Sequence, residues 1–144
     1  MERHKVLVAL DETGTAFRAL QWALARAARA KDDVTVLSVM DTRVVLLEAR
    51  GGARAAAQGP GYSERLGRLH EQAQLSAAGQ GVAIHTEIRP SDDPAGAIVA
   101  FAREGSFNEI ALGHREKRGV EKMVLGSTAL RVLELTHIPV TIVR

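Results

Sequence analysis

Along this chain, short apolar runs alternate with longer stretches whose apolar residues recur every three to four positions. Residues 5–10 (KVLVAL) form a nearly continuous apolar run, the signature of a strand covered on both faces. Phe17, Leu20, Leu24 and Ala27 then recur at helical spacing, with Arg18, Arg26 and Arg29 on the opposite face. Residues 34–39 (VTVLSV) predict a second strand, and Leu66, Leu69, Ala73 and Ala77 a second helix from about Tyr62 to Ala78. In residues 82–88 the pattern changes to strict alternation, with Val82, Ile84, Thr86 and Ile88 on one side and Ala83, His85 and Glu87 on the other. One wetter face places this third strand at an edge of the sheet.

Asp93-Pro94 supplies an N-cap and a proline at the first helical position, ahead of a helix carrying Ala97, Ile98, Phe101 and Ala102. Residues 109–112 are a fourth strand ending in Gly113; the last helix starts near Ser127, ends before Pro139, and leads into the terminal strand Val140–Val143. Strand and helix in strict alternation imply right-handed crossovers and a parallel sheet with helices on both faces. The usual order for five such strands is 3-2-1-4-5, which puts the alternating third strand at an edge, as its pattern requires. The terminal strand (VTIV) becomes the other edge, apolar on both sides. An edge of that kind calls for a cover, so a homodimer pairing through Val140–Val143 is expected.

The chain reads as a single domain over 1–144. Residues 43–61 fit this plan least well. They contain Gly51-Gly52, Gly59-Pro60-Gly61 and an alanine-rich stretch, and read as a flexible insertion with a short helix around residues 44–50.

Composition removes several classes of function. With no cysteine, a disulfide scaffold, a thiol nucleophile and a thiolate zinc site are excluded, and a reducing compartment fits. The first apolar run is too short for a signal-peptide core and no stretch approaches a membrane span, so the expected location is the cytoplasm, with no membrane partner. The net charge of +2 is spread along the chain, and Phe17, Trp22, Tyr62, Phe101 and Phe107 are scattered, so no nucleic-acid platform is visible. The histidines His4, His70, His85, His114 and His137 have no metal-ligand spacing. There is no Walker loop, no Gly-x-Gly-x-x-Gly and no Gly-x-Ser-x-Gly elbow. Asp11-Glu12 resembles a receiver's acidic pair, but the third strand ends Ile88-Arg89-Pro90, without the aspartate that chemistry needs.

In an open parallel sheet, ligands bind beyond the carboxyl ends of the strands where the order reverses, here between the first and fourth strands. The chain delivers residues 11–15, 39–41 and the loop 113–128 to that point, and the loop closes with Gly126-Ser127-Thr128 opening a helix. Unpaired amides, two hydroxyls and the positive end of a helix dipole make an anion site there plausible. The combination of Val8-Ala9-Leu10-Asp11, the glycine-containing loop after the fourth strand, Gly126-Ser127 and Ile138-Pro139-Val140 resembles the universal stress protein family over essentially the whole chain. Ala19-Leu20-Gln21-Trp22-Ala23-Leu24 and Asn108-Glu109-Ile110-Ala111-Leu112-Gly113 add to the likeness.

The resemblance implies a Rossmann-like fold of the adenine-nucleotide α-hydrolase type and a non-catalytic stress-response module. Many members bind ATP through a Gly-x2-Gly-x9-Gly-(Ser/Thr) loop and an aspartate ending the first strand. Carried over, it assigns Ala9, Leu10, Asp11, Val39, Leu112, Gly113, Arg115, Glu116, Gly126, Ser127 and Thr128 to a site for ATP or another adenine nucleotide, with or without Mg²⁺. Asp11 would meet the adenine or ribose end, or hold Mg²⁺ through water, or simply cap the turn into the first helix. Val39 would line the adenine pocket or serve as core. Gly113 would admit the sugar or merely end a strand, and Ser127 and Thr128 would donate to phosphate or cap their helix.

The loop departs from the family pattern at one place: Glu116 stands where the second glycine is expected. Aimed inward, its charge opposes a polyphosphate by about 4 kcal/mol at 4 Å and an effective dielectric of about 20. Aimed outward, it pairs with Arg115, Lys117, Arg118 or Lys122. A middle case also exists, in which AMP or ADP binds where the full triphosphate meets repulsion. Two alternatives remain at this point: a nucleotide-free interaction dimer with a degenerate loop, and a slow ATPase. The second needs a base or water-positioning group, and Asp11, Glu12, Asp41, His114 and Glu116 form no constellation that assigns one.

Overall fold

The wholly buried run Val6-Leu7-Val8 explains why β1 (Lys5–Ala9) lies in the middle of the sheet, with both faces covered. The computed structural model describes residues 2–56, 59–114 and 125–144. In chain order the remaining elements are α1 (Gly14–Ala30), β2 (Asp33–Asp41), α2 (Thr42–Ala56), α3 (Tyr62–Gly79), β3 (Ile84–Ser91), α4 (Pro94–Glu104), β4 (Glu109–Gly113), α5 (Ser127–Leu135) and β5 (Val140–Val143). All strand pairings are parallel and the order is β3-β2-β1-β4-β5, as the periodicity predicts.

Two apolar layers sandwich the sheet. Val6, Val8, Val34 and Val36 face α1 and α3 through Leu20, Leu24, Ala73 and Ala77. Leu7, Leu37 and Ile110 face α4 and α5 through Ile98, Ala102, Ala129 and Val132. Small residues on the helices (Ala16, Ala19, Ala23 and Ala27 on α1) let them lie close to branched strand side chains. Trp22, off the main apolar stripe, is half-buried, packs at the rim of this layer and carries the Arg26 guanidinium 4.6 Å over its ring.

Two predicted segments differ from what is found. The alternating strand begins two residues later than expected, because the Val82 N–H donates to Ala77 O at 2.9 Å and so closes α3. Its buried face is also shorter: Ile84 is buried, whereas Ile88 is exposed, as suits an outermost strand with a neighbour on one side only. The region expected to hold a short helix around residues 44–50 is helical over Thr42–Ala56, as two helices, together labelled α2, that meet across non-helical backbone at Gly52 (φ 55°, ψ −137°). Glycine takes that conformation without a side-chain clash, so the chain bends there and helix resumes.

At the amino ends of the strands a buried carboxylate ties the layers together. Glu109, the first residue of β4, accepts from Arg26 Nη2 (2.7 Å), His4 Nε2 (2.9 Å) and Thr141 Oγ1 (2.6 Å), linking α1, the start of β1 and β5. Burial pushes its carboxyl upward, but the hydrogen bonds from Arg26, Thr141 and His4 together outweigh burial and lower it to about 2. Arg26 also donates to Asp32 at 2.7 Å. Among the described residues no buried side-chain nitrogen or oxygen lacks a partner, and no helix is long and apolar enough to cross a membrane.

Candidate functional site

β1 leads to α1 on one face of the sheet, and β4 precedes α5 on the other, so the chain parts on either side of the β1–β4 boundary. A crevice of about 430 Å³ opens there, beyond the carboxyl ends of the strands. Its volume lies in the range of small-molecule sites. Of the residues singled out in the sequence, Ala9, Leu10, Asp11, Val39, Leu112, Gly113, Gly126, Ser127 and Thr128 all line it. Arg115 and Glu116 lie outside the described residues, and the question of where Glu116 points lies with them.

The two sides of the crevice have different chemistry. On the β2 side Leu37, Val39 and Ile98 form an apolar floor. On the β4 side lies the start of α5. Its N-cap is Gly126, which has no side chain to offer, and no side chain among the described residues caps the helix. By contrast, α1 is capped by Thr13 through the Ala16 N–H, and α4 by Asp93 through the Gly96 N–H. Among the described residues, the first-turn amides of α5 therefore face the crevice with the dipole's positive end and no side-chain acceptor. β2 and β4 are separated by β1, so the two sides stand two strand spacings apart, about 10 Å. A ligand with an apolar planar part and an anionic part suits such a cleft.

Each wall is held by identifiable contacts. Leu10, just past β1, donates its N–H to Leu37 O (2.9 Å), and its carbonyl accepts from Ser38 Oγ (2.6 Å), which accepts in turn from His70 Nε2 (2.7 Å). Burial pushes the His70 imidazole down, which keeps it neutral in this chain of hydrogen bonds. Asp11 accepts from the Thr13 N–H at 2.9 Å and from the Thr13 hydroxyl through the same oxygen, so it does cap the turn into α1 while lining the crevice. His114 also lines it, with Nδ1 donating to Val143 O at 3.3 Å.

Gly113 has a role that neither sequence reading covers. A Cβ built there would lie 2.4 to 2.6 Å from the backbone of Thr15 and Ala16, so the missing side chain is what lets the start of α1 rest on the end of β4. Asp41 is gripped by the Arg43 side chain (2.7 and 2.9 Å), whose hydrogen bonds hold the carboxyl below its usual range.

Sequence reasoning missed Leu37, Pro94, Ile98 and Tyr62. Pro94 and Ile98 carried a signal, since every helix that follows a parallel strand begins at this end of the sheet. Tyr62 carried none, because it follows the long connection and reaches the crevice only through the way α2 and α3 meet. Gly61, the N-cap of α3, offers no side chain, and Glu48 of α2 takes its place by accepting from the Tyr62 N–H at 2.9 Å.

An open parallel sheet with helices on both faces and a crevice at its switch point defines a doubly wound α/β domain. The model of the universal stress protein family matches residues 2–144, and the chain belongs to that family. It is 30% identical to universal stress protein YxiE of Bacillus subtilis over 98% of this chain and 99% of that protein. It is 42% identical to a universal stress protein of Methanocaldococcus jannaschii over 64 residues, a match that spans 44% of this chain and only 37% of that protein's length. Universal stress protein UspA from Lactobacillus plantarum has the same fold (TM-score 0.75, 21% identity, all of both chains). So does the universal stress protein from Archaeoglobus fulgidus in complex with dAMP (TM-score 0.67, 20% identity, 99% of this chain and 98% of that one). A further universal stress protein, in complex with cAMP, matches with a TM-score of 0.66 at 18% identity over 98% of this chain and 96% of that one.

Proposed function

We propose that this chain is a non-catalytic, adenine-nucleotide-binding stress-response module of the cytoplasm. The base rests against Leu37, Val39 and Ile98, and the phosphate against the first turn of α5. One observation carries the reading: a single crevice joins an apolar floor to a helix start, about 10 Å away, that no side chain among the described residues caps. Fold relatives in complex with dAMP and cAMP, both adenine nucleotides with one phosphate, support a ligand of AMP size. ADP and ATP extend from the same seat, and a Mg²⁺ that they carry would meet Asp11 or Asp41 at the wall. Asp11 is engaged in holding its turn, which favours a binding role for it over a general base.

A ligand of the folded state must raise stability, by about 2.7 kcal/mol at a hundredfold excess over Kd. Millimolar AMP, ADP or ATP is therefore expected to raise the thermal midpoint by several degrees, and denaturing the purified protein to release nucleotide detectable by chromatography. No shift with any of the three, and no nucleotide released, would reject the reading.

In the same reading the module works as a homodimer through β5. Among the described residues this strand pairs with β4 alone, all four of its residues are partly exposed, and α5 leaves Leu130, Leu133 and Leu135 exposed. Sedimentation velocity is expected to give the mass of two chains; a single-chain mass at micromolar concentration would remove this part.

A further inference from the structure

In a parallel strand, alternate residues direct their N–H and C=O groups to the same neighbour. The Leu37 carbonyl of β2 faces β1 and accepts the Leu10 N–H. The next groups on that side belong to Val39 and Asp41, and β1 has ended by then. Buried or half-buried backbone groups need partners. Here the Tyr62 hydroxyl supplies them: it donates to Val39 O at 3.3 Å and accepts from the Asp41 N–H at 3.2 Å. Both distances are long for their type, so the contact is weak. The ring lines the crevice and is held from behind, with the backbone N–H on Glu48 and the Arg65 guanidinium 5.6 Å from the ring.

An acceptor beside a donor is the pattern that the edge of adenine satisfies, its amino group donating and its ring nitrogen accepting. Guanine presents the two in reverse order. The phenol therefore offers this backbone pair the same donor and acceptor that adenine would. We infer that Tyr62 is a built-in competitor for the base: its hydroxyl occupies the Val39 carbonyl and Asp41 amide in the free protein, and adenine must displace it to bind. This inference rests on the nucleotide reading above and adds a residue that sets affinity and base preference.

Tyr62→Phe removes the hydroxyl and keeps the ring. Calorimetry is expected to give a Kd for AMP about threefold to tenfold lower in the variant than in the unaltered protein, the worth of one hydrogen bond. The gain for GMP is smaller, and ribose 5-phosphate, which has no base, binds both proteins alike. Equal or weaker AMP binding by the variant, with binding to the unaltered protein measurable, overturns the competitor role and leaves the nucleotide reading standing. No AMP binding by either protein overturns both. Tyr62 is the chain's one tyrosine, so ¹³C-labelled tyrosine gives a single ring signal in the unaltered protein. That signal is expected to move with AMP and stay in place with ribose 5-phosphate. A signal unmoved at saturating AMP overturns the inference whatever the variant's stability.

Discussion

Gly113→Ala is expected to lower stability by about 1–3 kcal/mol, the usual cost of forcing one extra methyl into a closed contact. The added Cβ meets main-chain atoms of Thr15 and Ala16 at 2.4 to 2.6 Å, and no rotamer change relieves a clash with backbone. Either β4 or the first turn of α1 must retreat. The N-cap and first turn of α1 carry Thr13 and Thr15, both in the crevice wall, so the shift also distorts the site. Urea unfolding should therefore show a lower midpoint with an unchanged slope, together with weaker nucleotide binding. An unchanged midpoint would mean that α1 sits on β4 far more loosely than the contact distances require.

The second large effect lies at the opposite end of the sheet. Arg26→Met keeps most of the side-chain volume but leaves Glu109 buried with only His4 and Thr141 as donors. Removing one partner of a buried ion pair costs about 3–5 kcal/mol, and Arg26 is partly exposed, so a loss of about 2–3 kcal/mol at pH 7 is expected. The sign of the pH dependence follows from the lowered carboxyl. Glu109 falls from an ordinary 4.5 to about 2 on folding, so its ionised form stabilises the native state fully above 4.5 and progressively less as pH drops towards 2. The stability gap between the unaltered protein and Arg26→Met should thus be widest near neutrality and about half as wide at about pH 3. A gap that stays constant down to that pH would show that Arg26 acts by packing against Trp22 and not through the carboxylate.

The fold was legible because each level of the sequence agreed with the next. An apolar run without alternation marked β1 as central, alternation marked β3 as an edge, and Asp93-Pro94 marked the start of α4 within a residue. Where reading fell short, the deciding contact was distant in sequence. Glu109 reads as a stray charge opening an apolar strand until Arg26, His4 and Thr141 are brought around it. Gly51-Gly52 signalled a helix breaker, and the backbone does leave the helical conformation at Gly52, although helix resumes beyond it to Ala56. In the crevice, topology placed Asp11, Val39, Gly113, Gly126, Ser127 and Thr128, and the family resemblance added Ala9, Leu10 and Leu112. Tyr62 escaped because its position depends on Glu48 capping α3, an event of tertiary packing.

The central claim is that one crevice binds an adenine nucleotide with its base at β2 and its phosphate at α5. Amide NMR during titration with AMP tests it most directly. Val39 and Asp41 on one side and Ser127 and Thr128 on the other are expected to shift together, with a common saturation curve, while the exposed edge β3 stays unchanged. Shifts absent from both sides at millimolar AMP, or confined to residues outside the crevice, would contradict it.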